Sequence, residues 1–413
     1  MNTQPAMRGT DLLPGGAGLG PAWLARIWSG GVNKVLDRID RGLARGSIDV
    51  MLPDGSRRAL GGRSPGFAAH VHLCSPRALL RLATGGSVGW YQAWEAEEWT
   101  SPDPVPLFAL FMQNADTLGS AGRARGPWRW LMRRMHALRR NTREGSLRNI
   151  HAHYDLGNDF YAAWLDPTMC YSSACYADGA TDLESAQRAK LRTVADRLEG
   201  AGTVLEIGCG WGAMAAEFAR RGATVKAISL SDAQLAWARR HHASPAITFA
   251  KEDYRDVEGR FDGVASVEMV EAVGREYWPA FFDCIARCLK PGGRAAIQYI
   301  AMHEDLFDDY ARSADFIQTY IFPGGILVRE NEFRTLAEER GLDWTNREAF
   351  GHDYAETLKA WRENFDGAHA EGRLPEGFDD RFVRLWRYYL MYCEGGFRGE
   401  GITVAQVTLV KRG

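Results

Sequence analysis

Apolar and polar positions follow two periods along this chain, and the change of period marks its organisation. From Trp23 to Leu43, apolar residues recur at Leu24, Ile27, Trp28, Val32, Val35, Leu36 and Ile39. That spacing predicts an amphipathic helix, interrupted or begun at Gly30-Gly31. Ile48, Val50 and Leu52 then alternate, and Pro53-Asp-Gly55 turns the chain into a hairpin. A second strand is expected over Phe67 to Leu73 and a short helix over Pro76 to Ala83, with proline at its start. Gly85 to Glu95 is glycine-rich and aromatic. Residues 21–122 thus read as a small α+β domain, behind a flexible glycine- and proline-rich lead-in over 1–20.

Residues 151–413 carry a different rhythm. Asp182 to Leu198 is predicted as a helix capped by Asp182. Strands are expected at Thr203–Ile207, Thr224–Ile228, Ile247–Ala250, Phe261–Val267 and Ala295–Ile300. Helices Asp232–His241 and Tyr277–Leu289 fall between them. Such alternation makes an α/β fold with a parallel sheet covered on both faces, and ligands sit beyond the carboxyl ends of its strands. The pattern breaks over about 303–330, where Phe307, Tyr310, Phe316, Ile317, Tyr320, Ile321 and Phe322 crowd together. Either they cover an apolar substrate beside the site, or they simply pack the insertion onto the domain. Helices Glu330–Glu339 and Ala355–Phe365, an aromatic cluster over 382–397 and a closing strand Thr403–Val410 complete the reading.

Composition narrows the classes. The chain has 413 residues, 46% hydrophobic and 25% charged, with a net charge of -2. That is globular, and no global field calls for nucleic acid. No apolar run approaches a membrane span, and the start does not read as a signal peptide. Seven cysteines without a C-x-x-C pair read as free thiols in a reducing cytoplasm, with no zinc site and no other metal expected. Residues 123–150 stand apart: nine arginines face one acid, Glu144, with Trp128, Trp130, Leu131, Met132, Met135 and Leu138 between them. This reads as a basic amphipathic helix on an anionic membrane surface, or as a solvated linker helix. RNA binding is disfavoured, because no recognition module accompanies the arginines.

The chemistry centres on Thr203-Val-Leu-Glu-Ile-Gly-Cys-Gly-Trp-Gly212, a strand–glycine-turn–helix entry to a nucleotide-binding βαβ unit. Gly208-x-Gly210-x-x-Ala213 also fits the fingerprint for NAD or FAD, and a merely structural turn is the third option. Three details favour S-adenosylmethionine (SAM). Glu206 is placed to receive an ammonium. The next strand ends in Ser229-Leu230-Ser231-Asp-Ala-Gln234, without the immediate acid that a ribose of NAD would want. The step Cys288-Leu-Lys-Pro-Gly-Gly293 into the next strand resembles the late part of class I methyltransferase domains. Gly208, Ser229, Asp253 and Glu268–Glu271 all fall at strand carboxyl ends, which points to one shared site.

Several motifs then converge. His153-Tyr-Asp-Leu-Gly-Asn-Asp159, Leu165-Asp-Pro-Thr-Met169, Tyr171-Ser172, Glu184-Ser-Ala-Gln187 and the glycine turn resemble the cyclopropane-fatty-acyl-phospholipid synthases and mycolic acid cyclopropane synthases. Tyr320-Ile-Phe-Pro-Gly-Gly325, Phe350-Gly-x-Asp-Tyr354, Tyr388-Tyr389-Leu390 and Phe397-Arg398 are similar to the same family, so the likeness spans about residues 70–410. It implies a class I SAM-dependent methyltransferase with a Rossmann-like, mostly parallel seven-stranded sheet. It also implies methyl transfer to the double bond of an unsaturated phospholipid acyl chain, forming a cyclopropane, with the N-terminal domain helping to dock on the bilayer. A cytoplasmic protein, peripheral on the inner membrane face, is expected, and a homodimer is admitted.

Carried over residue by residue, the resemblance makes Tyr171, Ser172, Glu206, Gly208, Gly210, Gly212, Ser229, Leu230, Ser231, Gln234, Asp253 and Tyr254 cofactor contacts. Family members hold a bicarbonate ion as base with a Cys, a Glu, a His, a backbone carbonyl and a Tyr. Here Glu271 matches the Glu, Tyr354 the Tyr and Ile300 the carbonyl position. The Cys position is Ser173, the His position is Gln298, and Glu268 stands where a glycine is usual. Ser173 and Gln298 are expected to donate hydrogen bonds to an anion, although neither carries the positive charge of His. Bicarbonate would then be held more weakly or in a new place, with Glu271 or Glu268 assuming part of its role. For Glu268 an ion pair with an arginine is the plainer option.

An alkene attacked onto a sulfonium methyl becomes a carbocation that must lose a proton. Loss with ring closure gives a cyclopropane; loss after a hydride shift gives a methylene branch or another branched alkene. Placement of the base decides between them. Ring formation is the first expectation and a branched product the second. A silent SAM- or lipid-binding module and methylation of a soluble small molecule are the other classes.

Overall fold

The structure, a computed structural model, describes residues 29–119, 156–176 and 179–413. The basic segment 123–150 and its membrane reading, the lead-in 1–20 and the first turns of the helix expected from Trp23 lie outside the described residues.

The N-terminal unit opens with helix Ser29–Gly42, followed by strands β1 (Ser47–Met51), β2 (Arg57–Gly61), β3 (Ala68–Leu73) and β4 (Trp99–Thr100). They form a four-stranded sheet in the order β2-β1-β3-β4. β1 and β2 make the expected hairpin, and β3 adds to β1 in parallel. Ile48 and Val50 point inward from β1, as their alternation requires. The helix expected to stop at Ala83 instead runs from Arg77 to Glu95, bent at Gly86. Trp90 and Tyr91, from the glycine-rich aromatic stretch that was given no element, are buried on its second half. Packing of those rings overrides the poor helix propensity of Gly85-Gly86.

The second sheet contains β5 (Thr203–Ile207), β6 (Thr224–Ser229), β7 (Ile247–Lys251), β8 (Phe261–Val267), β9 (Leu289–Met302), β10 (Leu342–Ala349) and β11 (Ile402–Lys411). Its order is β10-β11-β9-β8-β5-β6-β7. Pairings from β9 through β7 are parallel, and β11 is antiparallel to both β9 and β10. β10 was not expected. Its Asp-Trp-Thr-Asn-Arg-Glu run lacks alternation because it is an edge strand, exposed over most of its length. β9 is longer than expected and absorbs Pro291-Gly-Gly293 at a register shift against β8. Helix Leu183–Asp196 carries the expected cap as a reciprocal box between Asp182 and Ser185.

The two sheets are joined by one aromatic core. Tyr91 of the N-terminal unit meets Phe316 at 4.9 Å, Tyr320 at 4.6 Å and Tyr388 at 5.1 Å between ring centroids. Phe108, on helix Val105–Gln113, packs edge-on to Tyr388 at 5.2 Å. Tyr388 belongs to helix Asp380–Arg398, whose inner face is buried along its length. The apolar residues of the insertion divide between the core and the wall of a cavity. Phe316, Tyr320 and Ile321 are core, while Leu306, Tyr310, Ile317 and Phe322 line a cavity.

Candidate active site

A cavity of about 570 Å³ opens at the carboxyl ends of β5, β6 and β8. Tyr171, Ser172, Glu206, Gly208, Gly210, Ser229, Leu230, Gln234, Asp253, Tyr254, Glu268, Glu271, Ile300 and Tyr354 all line it. Four of the expected site residues do not: Ser173, Gly212, Ser231 and Gln298.

Each of the four serves the site from behind. Ser231 caps helix Asp232–His241, accepting the Gln234 N–H. A Cβ on Gly212 would lie 3.0 Å from both Ala238 and Phe249, so this glycine lets the turn pack on the helix and strand behind it. Gly210 is different: it holds φ +52° and a Cβ there would meet nothing within 4 Å, leaving backbone open to the cavity. Ser173 and Gln298, expected to face an anion, are fully buried and bind Glu268 instead.

Glu268 occupies the convergence of those donors. Its Oε1 accepts the Ser173 backbone N–H at 2.9 Å and Gln298 Nε2 at 2.7 Å. Its Oε2 accepts the Tyr354 hydroxyl at 2.8 Å. The Ser173 hydroxyl turns to the Ala174 carbonyl. Gln406 Nε2 donates to Gln298 Oε1 at 2.9 Å, which orients the Gln298 amide with its N–H toward Glu268. Arg197 supports Gln406 in turn, through its Oε1 at 3.1 Å. Glu268 therefore has two neutral side chains and a backbone amide as partners, not the arginine considered above. Its backbone is at φ +48°, the left-handed region that glycine occupies freely and other residues at a cost of about 1–2 kcal/mol. Strain held in that way marks a position where the side chain matters.

Glu271 lies on the 3-10 turn Val270–Ala272. Its Oε1 accepts the Ile300 N–H, and Oε2 is buried with no hydrogen-bond partner. The Ile300 carbonyl, expected at an anion, accepts the Val328 N–H at 2.9 Å. Burial pushes the Glu271 carboxyl up to about 8, and the charge of Glu268 adds to the shift. Burial also raises Glu268, against the bonds from Gln298 and Ser173 that lower it.

At the glycine turn, Glu206 is 4% exposed and its Oε2 has no partner. Burial lifts this carboxyl to about 8. A nearly dry, half-satisfied carboxylate on a cavity wall fits a cationic group such as the ammonium of SAM, and open backbone at Gly210 fits a ligand passing close. Asp253, by contrast, is already gripped by Arg255 through both carboxylate oxygens. Tyr171 shares a 2.8 Å hydroxyl–hydroxyl bond with Tyr389.

Sequence reasoning missed Lys190. It is 1% exposed, lines the cavity, and donates to Ser172 Oγ at 2.6 Å. Its signal was a lysine on the apolar face of a helix, among Ala186, Ala189, Leu191 and Val194, where charge is costly unless used. Among the described residues no group of His, Cys, Asp and Glu could hold a metal ion, and no helix is long and apolar enough to cross a membrane.

Comparison with known proteins bears on this geometry. A family model described as mycolic acid cyclopropane synthetase matches residues 141–407. The tuberculostearic acid methyltransferase UfaA1 of Mycobacterium tuberculosis is 35% identical over 377 residues, 85% of this chain and 84% of that one. The cyclopropane-fatty-acyl-phospholipid synthase of Escherichia coli K12 is 38% identical over 261 residues, 62% of this chain and 65% of that one. A solved structure of mycolic acid cyclopropane synthase CmaA1, complexed with SAH and CTAB, is similar with a TM-score of 0.60 and 27% identity, covering 64% of this chain and 98% of that one.

Proposed function

We propose, from the premise that this chain belongs to the mycolic acid cyclopropane synthetase family of SAM-dependent lipid methyltransferases, that it methylates an unsaturated phospholipid acyl chain and releases a methylene-branched product rather than a ring. The observation that carries this reading is the Glu268 carboxylate, seated among Ser173 N–H, Gln298 Nε2 and Tyr354 Oη. In this reading Glu268 is a built-in negative charge where relatives would hold bicarbonate. A relative that is 35% identical is named a methyltransferase and not a cyclopropane synthase, which supports the same direction.

SAM, when bound, supplies an electrophilic methyl. The protein's residues do the rest. Glu206 receives the ammonium of the cofactor, and Lys190 with the Ser172 hydroxyl offers opposite charge to its carboxylate. The aromatic walls exclude water, so a positively charged acyl chain meets only ring faces and fixed carboxylates. Methyl addition to one alkene carbon leaves the charge on its neighbour. A hydride moving from the methylated carbon to that neighbour makes a more stable tertiary cation, and loss of a methyl proton leaves a methylene branch, a C=CH2 double bond. We assign the proton to Glu271 Oε2, the carboxylate oxygen with unspent acceptor capacity. Glu268, with both oxygens already accepting, stays as the fixed charge. An acceptor displaced from the usual anion position gives the hydride time to move before the proton leaves. Docking on an anionic bilayer through the N-terminal unit and the basic stretch 123–150 belongs to the same reading.

Incubation with SAM and a monounsaturated phospholipid, followed by mass spectrometry before and after catalytic hydrogenation, tests the product. A branched product that takes up two hydrogens is expected. A methylene-bridged ring resistant to mild hydrogenation would overturn the reading in favour of cyclopropanation.

The raised Glu206 carboxyl adds a pH signature. Below about 8 it holds a proton that a cationic ligand must displace. SAM affinity should therefore rise from about pH 6 to about pH 8, level off above, and be accompanied by proton release. S-adenosylhomocysteine, which keeps the ammonium, should release as many protons. Calorimetry in two buffers of different ionisation enthalpy measures the release; equal heats and a pH-flat affinity would contradict it.

A further inference from the structure

The cavity does not end within the methyltransferase sheet. It continues to Leu82, Gly85, Gly86, Trp90, Phe108 and Phe111, all from the N-terminal unit. That unit lies outside residues 141–407, the span matched by the family model. We propose that the N-terminal unit forms a distal acyl subsite, holding the methyl-terminated tail of the substrate chain and limiting how many carbons lie beyond the double bond. This rests on the reading that the cavity takes an acyl chain.

Three observations carry it. First, the N-terminal contribution to the wall contains no charged side chain, so it suits the hydrocarbon end of a lipid and not its headgroup. Second, the wall is opened by a built-in break. Gly86 adopts φ 59°, ψ -138° inside helix Arg77–Glu95, a region that residues with a Cβ avoid. Gly85 beside it lines the cavity, and a Cβ there would meet nothing within 4 Å. The glycine pair thus leaves the helix bare where it faces the cavity. Third, the wall is held in place. Tyr91, on the same helix one turn past the break, is locked among Phe316, Tyr320 and Tyr388, and Trp90 stacks on Trp99 at 4.4 Å. A wall fixed at one end and a methyl-transfer site fixed at the other measure the distance between them.

Each methylene accommodated in an apolar subsite changes affinity by roughly fourfold. The test is a chain-length series of monounsaturated lysophospholipids of about fourteen to twenty carbons. Binding is read by displacement of a fluorescent fatty acid, and turnover is measured in parallel on the full chain. Gly85→Leu should cut affinity for the longest chains at least tenfold and leave the shortest unchanged. Phe111→Ala should move the optimum at least two carbons longer. SAM affinity should stay within about threefold in both. A length profile that stays the same in folded variants would overturn the proposal. If Gly85→Leu does not fold, Phe111→Ala decides alone. Failure of every acyl probe to bind the unaltered protein would instead sink the reading of the cavity as an acyl site, and the product analysis above is independent of both.

Discussion

Glu271→Gln should lower turnover by on the order of 10³-fold and leave SAM affinity within about threefold of the unaltered protein. General-base groups contribute about 10²–10⁴ in rate. The substitution keeps the shape and the carbonyl oxygen that accepts the Ile300 N–H. It removes the unpartnered acceptor Oε2 and the charge. In the proposed reading the cofactor's ammonium would be held by Glu206, a separate carboxylate on β5, so binding should survive. Above about pH 8, where Glu271 is ionised, the variant should also melt no lower than the unaltered protein, because it relieves the repulsion between two buried carboxyls. Single-turnover rates with product analysis, and calorimetry for the cofactor, read the two effects separately. A rate within tenfold of the original would remove Glu271 from the proton-transfer role.

Glu268→Gly should be well folded, nearly inactive in bicarbonate-free buffer, and reactivated by small anions. Glycine accepts φ +48° without the steric cost that Glu268 bears, which offsets part of the loss of three hydrogen bonds. What remains is a recess with the Ser173 N–H, Gln298 Nε2 and Tyr354 Oη still pointed into it. Gln298 stays oriented by Gln406 and Arg197. Donors converging on an absent carboxylate make a site for bicarbonate or formate. A fall of about 10²-fold or more, recovered at least tenfold by millimolar bicarbonate, is expected. A mobile anion in that recess should also divert part of the product toward the ring. No recovery with any small carboxylate would mean that Glu268 supports structure alone.

Much of this site could be read from local pattern. The glycine turn, β5, helix Asp232–His241 and β8 were legible because each depends on a short run of apolar or capping residues. The identity of the family was legible from motifs distributed along the chain. What was hidden depended on contacts between distant residues. Ser173, Glu268 and Gln298 come from a loop, a strand end and a neighbouring strand, so no spacing reveals that the first and last hold the second. Ser173 and Gln298 were expected to receive an external anion, and they face a side chain of their own protein instead. The second half of helix Arg77–Glu95 was obscured by Gly85-Gly86, whose low propensity is overridden by rings packing across the interface. Lys190 was not singled out, because its contact with Ser172 joins a helix to a loop that no local pattern links.

The central claim is that Glu268 does the work of an external anion. The most direct test is turnover of the unaltered protein in buffer stripped of carbon dioxide, followed by titration with bicarbonate. Undiminished activity and an unchanged product across the titration are expected. Activity that falls on stripping and returns with added bicarbonate would contradict the account.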